Sequence, residues 1–302
     1  MGLINMLKNA YHGAVIGYKV GYRRKGEKRF MILPNPFWEW CADPFVIEHE
    51  GKTYIFAEAY NPFRGRGNIK YCVLEEGENI KWNTVINEAY HLSYPFIWRD
   101  KDGVHISPES CSINDIHRYD CVSFPDKWEK KAVVLEGKKY ADSTLTFDVE
   151  GNPEYCFTHE VTGPMRGNLL RYKFRGDGTI DKETEEFITA DPMICRPGGN
   201  FFQNDGKLYR VAQDGFKDYG ERLIFMEVLN MEPYQEKVSG EISYKDHKYV
   251  KNCIGMHTYN VTDTLEIVDF RIKKLSYIRL FCNLLRLSWR GMKKIEKILG
   301  RE

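Results

Sequence analysis

Over most of the chain, apolar residues come in short bursts cut by turn signals, not in long stripes. Asp43-Pro44-Phe45-Val46-Ile47 is one burst, and Thr53-Tyr54-Ile55-Phe56-Ala57-Glu58 is the next. Acid-glycine pairs punctuate the pattern at Glu50-Gly51, Glu76-Gly77, Asp102-Gly103, Glu150-Gly151, Asp177-Gly178 and Asp205-Gly206. Runs of this length, rich in β-branched and aromatic residues and bounded by such turns, predict β-hairpins. Helical periodicity is absent until the C-terminus, so the predicted class is all-β.

A unit of about fifty residues repeats. After the pair above come His91–Ile97 with Val104–Glu109, Asp142–Phe147 with Tyr155–Glu160, and Arg196–Phe202 with Leu208–Asp214. A fifth unit opens at Gly255–Asn260. The opening residues Asp43, His91, Asp142, Arg196 and His257 are 48, 51, 54 and 61 positions apart. Each unit has room for four short strands, the size of one blade of a β-propeller. The fifth runs out of sheet near Ile272 with two strands. Ala14–Val20 and Arg29–Leu33 offer the missing pair, so the ring is expected to close by pairing both chain ends in blade five. An irregular β-sandwich is the competing arrangement. The expected division is a five-bladed propeller over 1–272 and a helix over 273–302.

First strands of a propeller line its axis, so Asp43, His91, Asp142, Arg196 and His257 are expected to converge there. Any one alone reads as a turn or cap residue. Five polar groups in register are costly to bury without a purpose. Second-strand ends add Glu58, Glu109, Glu160, Gln213 and Asp214. Neighbouring carboxylates push their pKa values apart, which lets one act as acid while another stays ionised. Glycosyl transfer needs that arrangement. Asp43, Glu109, Asp142 and Glu160 are therefore the catalytic candidates. Glu58, His91, Tyr94, Arg196, Gln213, Asp214 and His257 are the substrate-binding candidates, with Arg196 suited to a phosphate or carboxylate. Trp38, Trp40, Tyr94, Phe96 and Tyr219 are candidates for stacking on sugar faces, although each taken alone reads as packing.

Trp40-Cys41-Ala42-Asp43-Pro44-Phe45-Val46 resembles the opening blade of the five-bladed propellers of glycoside hydrolase family 43. A longer ordered series resembles the N-terminal propeller domain of glucosamine inositolphosphorylceramide transferases. It runs through Ala42–Phe45, Phe56-Ala57-Glu58, Gly67-Asn68-Ile69, His91–Phe96, Pro108-Glu109-Ser110, Phe124–Trp128, Asp142-Ser143, Arg196–Gly199, Ala212-Gln213-Asp214 and Tyr219-Gly220. The hydrolase resemblance implies a general base at Asp43 and an orienting, pKa-tuning acid at Asp142. It also implies a blade-four glutamate as general acid, where this chain has Arg196. The hydrolase mechanism therefore does not carry over whole: Glu109 or Glu160 has to serve as acid, or the leaving group is a phosphate that needs none. No cofactor is expected. His91 and His257 leave an axial divalent cation open, with no oxygen-rich cage visible.

Composition narrows the rest. The chain has 44 Lys plus Arg against 43 Asp plus Glu, so a uniformly basic nucleic-acid binder is excluded. Its eight cysteines stand singly with no C-x-x-C pair, which fits a reducing compartment. No signal peptide is evident near Met1. The near-neutral charge is uneven, however. Residues 273–302 hold nine basic and two acidic residues, a local charge of +7. There Ile278, Phe281, Leu285, Trp289, Met292, Ile295 and Leu299 form one apolar helical stripe. Arg279, Arg286, Arg290, Lys293, Lys297 and Arg301 form a basic one. A basic amphipathic helix suits an anionic membrane surface, and helix docking on the propeller or in a dimer is the alternative.

The expectation is a cytoplasmic glycosyltransferase, peripheral at the inner face of the membrane, working in surface-polysaccharide or glycolipid assembly. Its partners would be an activated sugar donor and a glycan or lipid-linked acceptor. A family 43-type glycoside hydrolase and a non-catalytic glycan-binding scaffold are the alternatives.

Overall fold

The computed structural model describes residues 3–75, 79–163 and 166–298. It is a five-bladed β-propeller with a helix at each end of the chain. Blade one is Trp40–His49, Lys52–Asn61, Arg66–Leu74 and Asn83–Ile86. Blade two is Ser93–Asp100, Gly103–Glu109, Asp115–Ser123 and Lys127–Glu136. Blade three is Tyr140–Phe147, Pro153–Gly163, Arg166–Phe174 and Ile180–Thr189. In blade four the inner strand is broken into Arg196–Pro197 and Phe202–Asn204, followed by Lys207–Gln213, Arg222–Met231 and Tyr234–Ser243.

Blade five closes the ring. Cys253–Gly255 and Tyr259–Val261 lie inside, Leu265–Lys273 comes next, and the N-terminal strands Ile16–Arg24 and Met31–Ile32 complete it. Ile16–Arg24 runs antiparallel to Leu265–Lys273 along its whole length, from Ile16 opposite Lys273 to Arg24 opposite Leu265. The expected closure is therefore present, although the first N-terminal strand begins at Ile16 and the second is only two residues long.

Burial follows strand position. Tyr140–Phe147 is buried at every position but the last, because an inner strand is covered on both faces. The outer strand Tyr234–Ser243 is mostly exposed or half-buried. Blades grip each other through aromatic residues. The Phe124–Trp128 segment belongs to this grip: Phe124 packs on His49 and Tyr54, Trp128 meets Phe56 edge-on, and Tyr71 Oη donates to Asp126 at 2.8 Å.

The N-terminal helix, α1 (Leu3–Val15), is not evident in the hydrophobic pattern. Its buried positions include Ala10 and Ala14, residues too small to leave a strong apolar stripe. It packs against α2 (Tyr277–Ile298). The buried face of α2 holds Cys282 and Asn283, with Asn283 Nδ2 donating to Ala10 O at 2.9 Å. Arg279 donates to Ile16 O, and Arg286 covers Gly65. Ile278, Phe281, Leu285 and Trp289 of the predicted apolar stripe are turned outward, between 38% and 59% exposed. The side chains predicted for the stripes beyond Trp289 lie outside those described, and Leu299 and Arg301 lie outside the described residues.

Candidate functional site: a carboxylate ring at the propeller axis

Three inner strands carry the same irregularity. Strand pairing skips two residues between Ala42 and Phe45, between Ser93 and Phe96, and between Ala141 and Thr144. At each skip the first residue has positive φ: 49° at Asp43, 43° at Tyr94 and 51° at Asp142. A bulge of this kind re-aims a side chain that regular pleating would direct elsewhere, and its backbone strain of about 1–3 kcal/mol needs fixed support.

That support is a ring of hydrogen bonds passing from blade to blade. Asp269 of blade five accepts the Asp43 amide at 2.9 Å, and the His257 and Thr258 amides at 3.0 Å each. Asp43 accepts the Tyr94 amide at 3.1 Å and the Thr258 hydroxyl at 2.8 Å. Glu109 accepts the Asp142 amide at 3.2 Å. Asp142 accepts Arg196 Nε and, at 2.8 Å, Gln213 Nε2. The Asn200 amide donates to Asn260 Oδ1 at 2.6 Å, which joins blade four back to blade five.

Accessibility falls from the mouth inward. The side chains of His91, Arg196 and Glu109 are 39%, 25% and 12% exposed, while those of Glu58 and Asp142 are at 7% and 3%. Tyr219 roofs the inner part: the Arg196 guanidinium lies 5.0 Å from its ring centre, and it meets His257 edge-on at 5.1 Å. His91 Nδ1 accepts the Gly67 amide at 2.8 Å, which leaves the imidazole proton on Nε2, 3.5 Å from Glu58 Oε1. Among the described residues Glu58 Oε1 has no hydrogen-bond partner.

Electrostatics divide the four acids. Burial raises Glu109 well above the usual carboxylate range, and the neighbouring Asp142 charge raises it further. Burial opposes ionisation of Asp142 as well, but the Arg196 charge and its hydrogen bond hold that carboxyl below its usual value. Burial pushes Glu58 well up, reinforced by Asp43 and Glu109. Asp43 is raised to about 6 by burial, against the lowering pull of His257. His257 is itself raised: burial works against its charge, but Asp269 at 2.5 Å and Asp43 at 3.4 Å outweigh that. The cluster thus sets Glu109, pushed up, against Asp142, held down, with Glu58 pushed up beside them.

The structure brings together Asp43, Glu58, His91, Glu109, Asp142, Arg196, Gln213 and His257, and it separates three other candidates. Glu160 is one residue out of register, because Ala42, Ser93 and Ala141 pair with Glu58, Glu109 and His159. A one-residue offset puts a side chain on the opposite face of a strand. Glu160 accordingly accepts Asn168 Nδ2 at 2.8 Å and lies 3.4 Å from Lys138. Asp214 pairs with Arg222 at 2.7 Å and accepts the Phe216 amide, which makes it a loop-fixing group. Tyr94 is fully buried. Its hydroxyl accepts the Gly199 amide at 2.7 Å and lies 2.8 Å from Thr144 Oγ1, so it ties blades and does not face a ligand. Phe96 is likewise core. A cavity of about 620 Å³ between blades two and three shares no residue with the cluster.

Asp269 escaped the sequence reading. Its signal is an acid set between Ile267-Val268 and Phe270, where a charge has to be paired. Asp43, His257 and Asp269 bring three donor atoms within 4.8 Å of one another, a set that suits a cation by donor type. The hydrogen bonds and ion pairs above already engage those groups within the protein.

Residues 34–269 match the family described as glucosamine inositolphosphorylceramide transferase 1, N-terminal. The chain belongs to this family. Two members similar to it are named glucosamine inositolphosphorylceramide transferase 1. The Arabidopsis thaliana protein is 30% identical over 217 residues, covering 68% of this chain and 27% of that protein. The Oryza sativa subsp. indica protein is 24% identical over 240 residues, covering 76% and 32%. The chain thus spans about a third or less of the length of these family members. Solved structures share the family's propeller fold. A family 43 β-xylosidase/α-arabinofuranosidase from a compost metagenome superposes with a TM-score of 0.56 at 11% identity, covering 80% of this chain and 87% of that one. The catalytic domain of a Coprinopsis cinerea family 62 α-L-arabinofuranosidase gives 0.55 at 8% identity, covering 83% and 97%.

Proposed function

We propose that this chain is a glycosyl-transferring enzyme of glycoconjugate assembly and that its axial carboxylate cluster is the active site. The observation that carries the reading is the opposed pair Glu109 and Asp142 beneath the Arg196 mouth, joined through the Asp142 amide at 3.2 Å, with Glu109 pushed toward its protonated form by burial and Asp142 toward its ionised form by Arg196. Transfer of a sugar passes through an oxocarbenium-like state and needs a proton for the departing oxygen. Glu109 is placed to give that proton and Asp142 to stabilise the positive charge. Where the leaving group is a phosphate, the partly exposed Arg196 offsets its charge instead. Asp43, deeper and near 6, completes the acidic floor. Membership in a family whose members are named as transferases supports the choice of transfer over hydrolysis.

A second reading is favoured by one observation. The family members named as transferases are about three or more times as long as the segment shared with this chain. In that reading the propeller recognises a sugar while other parts of such proteins make the bond. Turnover by the purified chain, assayed with a panel of nucleotide- and lipid-phosphate sugars, separates the two. Glu109→Gln and Asp142→Asn should each lower turnover by about 100-fold or more. Sugar binding with no turnover by the unaltered chain would support recognition alone. Undiminished turnover in both variants would rule out this cluster as the catalytic site.

A further inference from the structure

The apolar stripe of α2 does not pack on the propeller. The helix sits down on Cys282, Asn283, Arg279 and Arg286 and turns Tyr277, Ile278, Phe281, Leu284 and Leu285 outward, between 38% and 77% exposed. An amphipathic helix that docks through its more polar side leaves its apolar side for something else.

That surface continues beyond the helix. Ile278 and Arg279 share a cleft with Phe37 and Trp38, and Trp38 packs edge-on against Phe63. Phe37, Trp38 and Phe63 are 79%, 46% and 47% exposed, and Leu7 and Tyr11 of α1 are 45% and 55% exposed. Four separate stretches of sequence are therefore involved: α1, Phe37-Trp38, Phe63 and α2.

The topology fixes which side this is. Second strands run toward the mouth of the axial site: Glu58 lies near the end of Lys52–Asn61, and Glu109 and Gln213 end theirs. In blade five the second strand ends at Lys273, from which the chain passes directly into α2. Its partner strand begins at Ile16, directly after α1. Phe37 and Trp38 precede the first inner strand, and Phe63 sits in the turn beside Gly67, so they lie at the same end. Both helices and the aromatic residues thus lie at the end of the propeller where the site opens, beside blades five and one.

Charge selects the occupant. Neither 3–15 nor 277–289 contains an acidic residue. Lys8, Lys19, Arg64, Lys273 and Lys274 are exposed around the patch, and the sequence of 290–302 holds five basic residues against two acids. No helix among the described residues is long and apolar enough to cross a membrane. Apolar and aromatic groups edged by cations, without a spanning segment, match an anionic lipid interface. We infer that this face lies on an anionic membrane, with α1, α2 and the Phe37–Trp38–Phe63 rim in the headgroup region and the axial mouth turned toward lipid. The inference stands without catalysis. Combined with the proposed function, it makes a lipid-borne acceptor the natural substrate.

Vesicle flotation of the full chain tests it. Binding is expected to vesicles of phosphatidylcholine mixed with an equal part of phosphatidylglycerol, to weaken with added salt, and to be much weaker on phosphatidylcholine alone. Phe281→Glu with Leu285→Glu should lower the partition coefficient by about tenfold or more, and so should Phe37→Glu with Phe63→Glu. Phe187→Glu, an exposed apolar site on the outer strand of blade three, should leave it unchanged. Loss in the helix variant with full binding in the rim variant would overturn the shared face. No vesicle binding, together with a dimer that the helix variant dissociates, would make the patch a subunit interface and overturn the proposal outright.

Discussion

The Tyr94 amide donates to the Asp43 carboxylate of the preceding blade, at 3.1 Å. Both residues sit at the positive-φ position of a bulge, so each strained turn is held by the acid of its neighbour. Asp43 is thus a structural tie as well as a candidate catalytic group. Asp43→Ala should destabilise the fold by about 3 kcal/mol or more, since it orphans the Tyr94 amide and the Thr258 hydroxyl and leaves His257 facing one acid instead of two. Asp43→Asn keeps an acceptor and should lose clearly less. Urea unfolding of the two variants checks this, and equal losses would argue against the tie.

Arg196 keeps Asp142 ionised, and this sets a direction in pH. The Asp142 carboxyl is depressed in the folded state, so its contribution is present above the unfolded value of about 3.9 and disappears as pH falls through the lower folded value. Arg196→Met should cost about 3 kcal/mol at neutral pH, because it leaves a buried carboxylate without its cation. That cost should shrink as pH falls, because without Arg196 burial raises the Asp142 carboxyl and protonation then relieves the variant, a narrowing gap that unfolding curves across acid pH would detect.

His257 behaves in the opposite sense. Its folded pKa is raised, so its charge stabilises the protein fully below about 6.5, and that contribution is lost as pH rises through the raised value. Replacing Asp269 with Asn removes the 2.5 Å ion pair and should bring the imidazole titration down, as followed by NMR of the histidine ring. An unmoved titration would mean that Asp43 alone raises it.

Gly67 is the tightest point beside the mouth. A Cβ there would lie 2.3 Å from Leu92 O and 2.6 Å from Glu58 Oε1, so Gly67→Ala has to displace backbone. The expected cost is about 1–3 kcal/mol, with His91 losing its amide partner. Ligand binding at the axial site should weaken more than unfolding alone accounts for, which calorimetry on the folded variant would resolve.

Blade number and ring closure were legible in the sequence because turns and apolar runs recur at a nearly constant spacing. Side-chain direction was less so. Counting residues aligns Glu160 with Glu58 and Glu109, but blades one and two turn on two residues between His49 and Lys52 and between Asp100 and Gly103, whereas blade three pairs Phe147 with Pro153 across a longer turn, and His159 takes the place instead. A bulge leaves no mark in the hydrophobic pattern and shifts every residue paired beyond it. Equal spacing puts His91 at the opening of blade two, whereas the bulge position is Tyr94; His91 reaches the site through its bond to Gly67. Helix α1 was invisible for a different reason, since Ala10 and Ala14 bury little area each. The outward turn of α2 could not be read at all: one stripe of apolar residues serves equally for docking inward and for remaining uncovered.

The last blade is assembled from the two ends of the chain, with Ile16–Arg24 inserted between Leu265–Lys273 and Met31–Ile32. The seam therefore joins segments more than 240 positions apart, from Ile16 opposite Lys273 to Arg24 opposite Leu265. A nascent chain can build blades one to four in sequence, but its first strand has only the two residues Met31–Ile32 to pair with until nearly the last residue of the propeller has emerged. The ring is latched late and all at once, and both helices grow from the latch. Whatever loads α1 and α2 also pulls on, or reinforces, the one joint that keeps the circle shut.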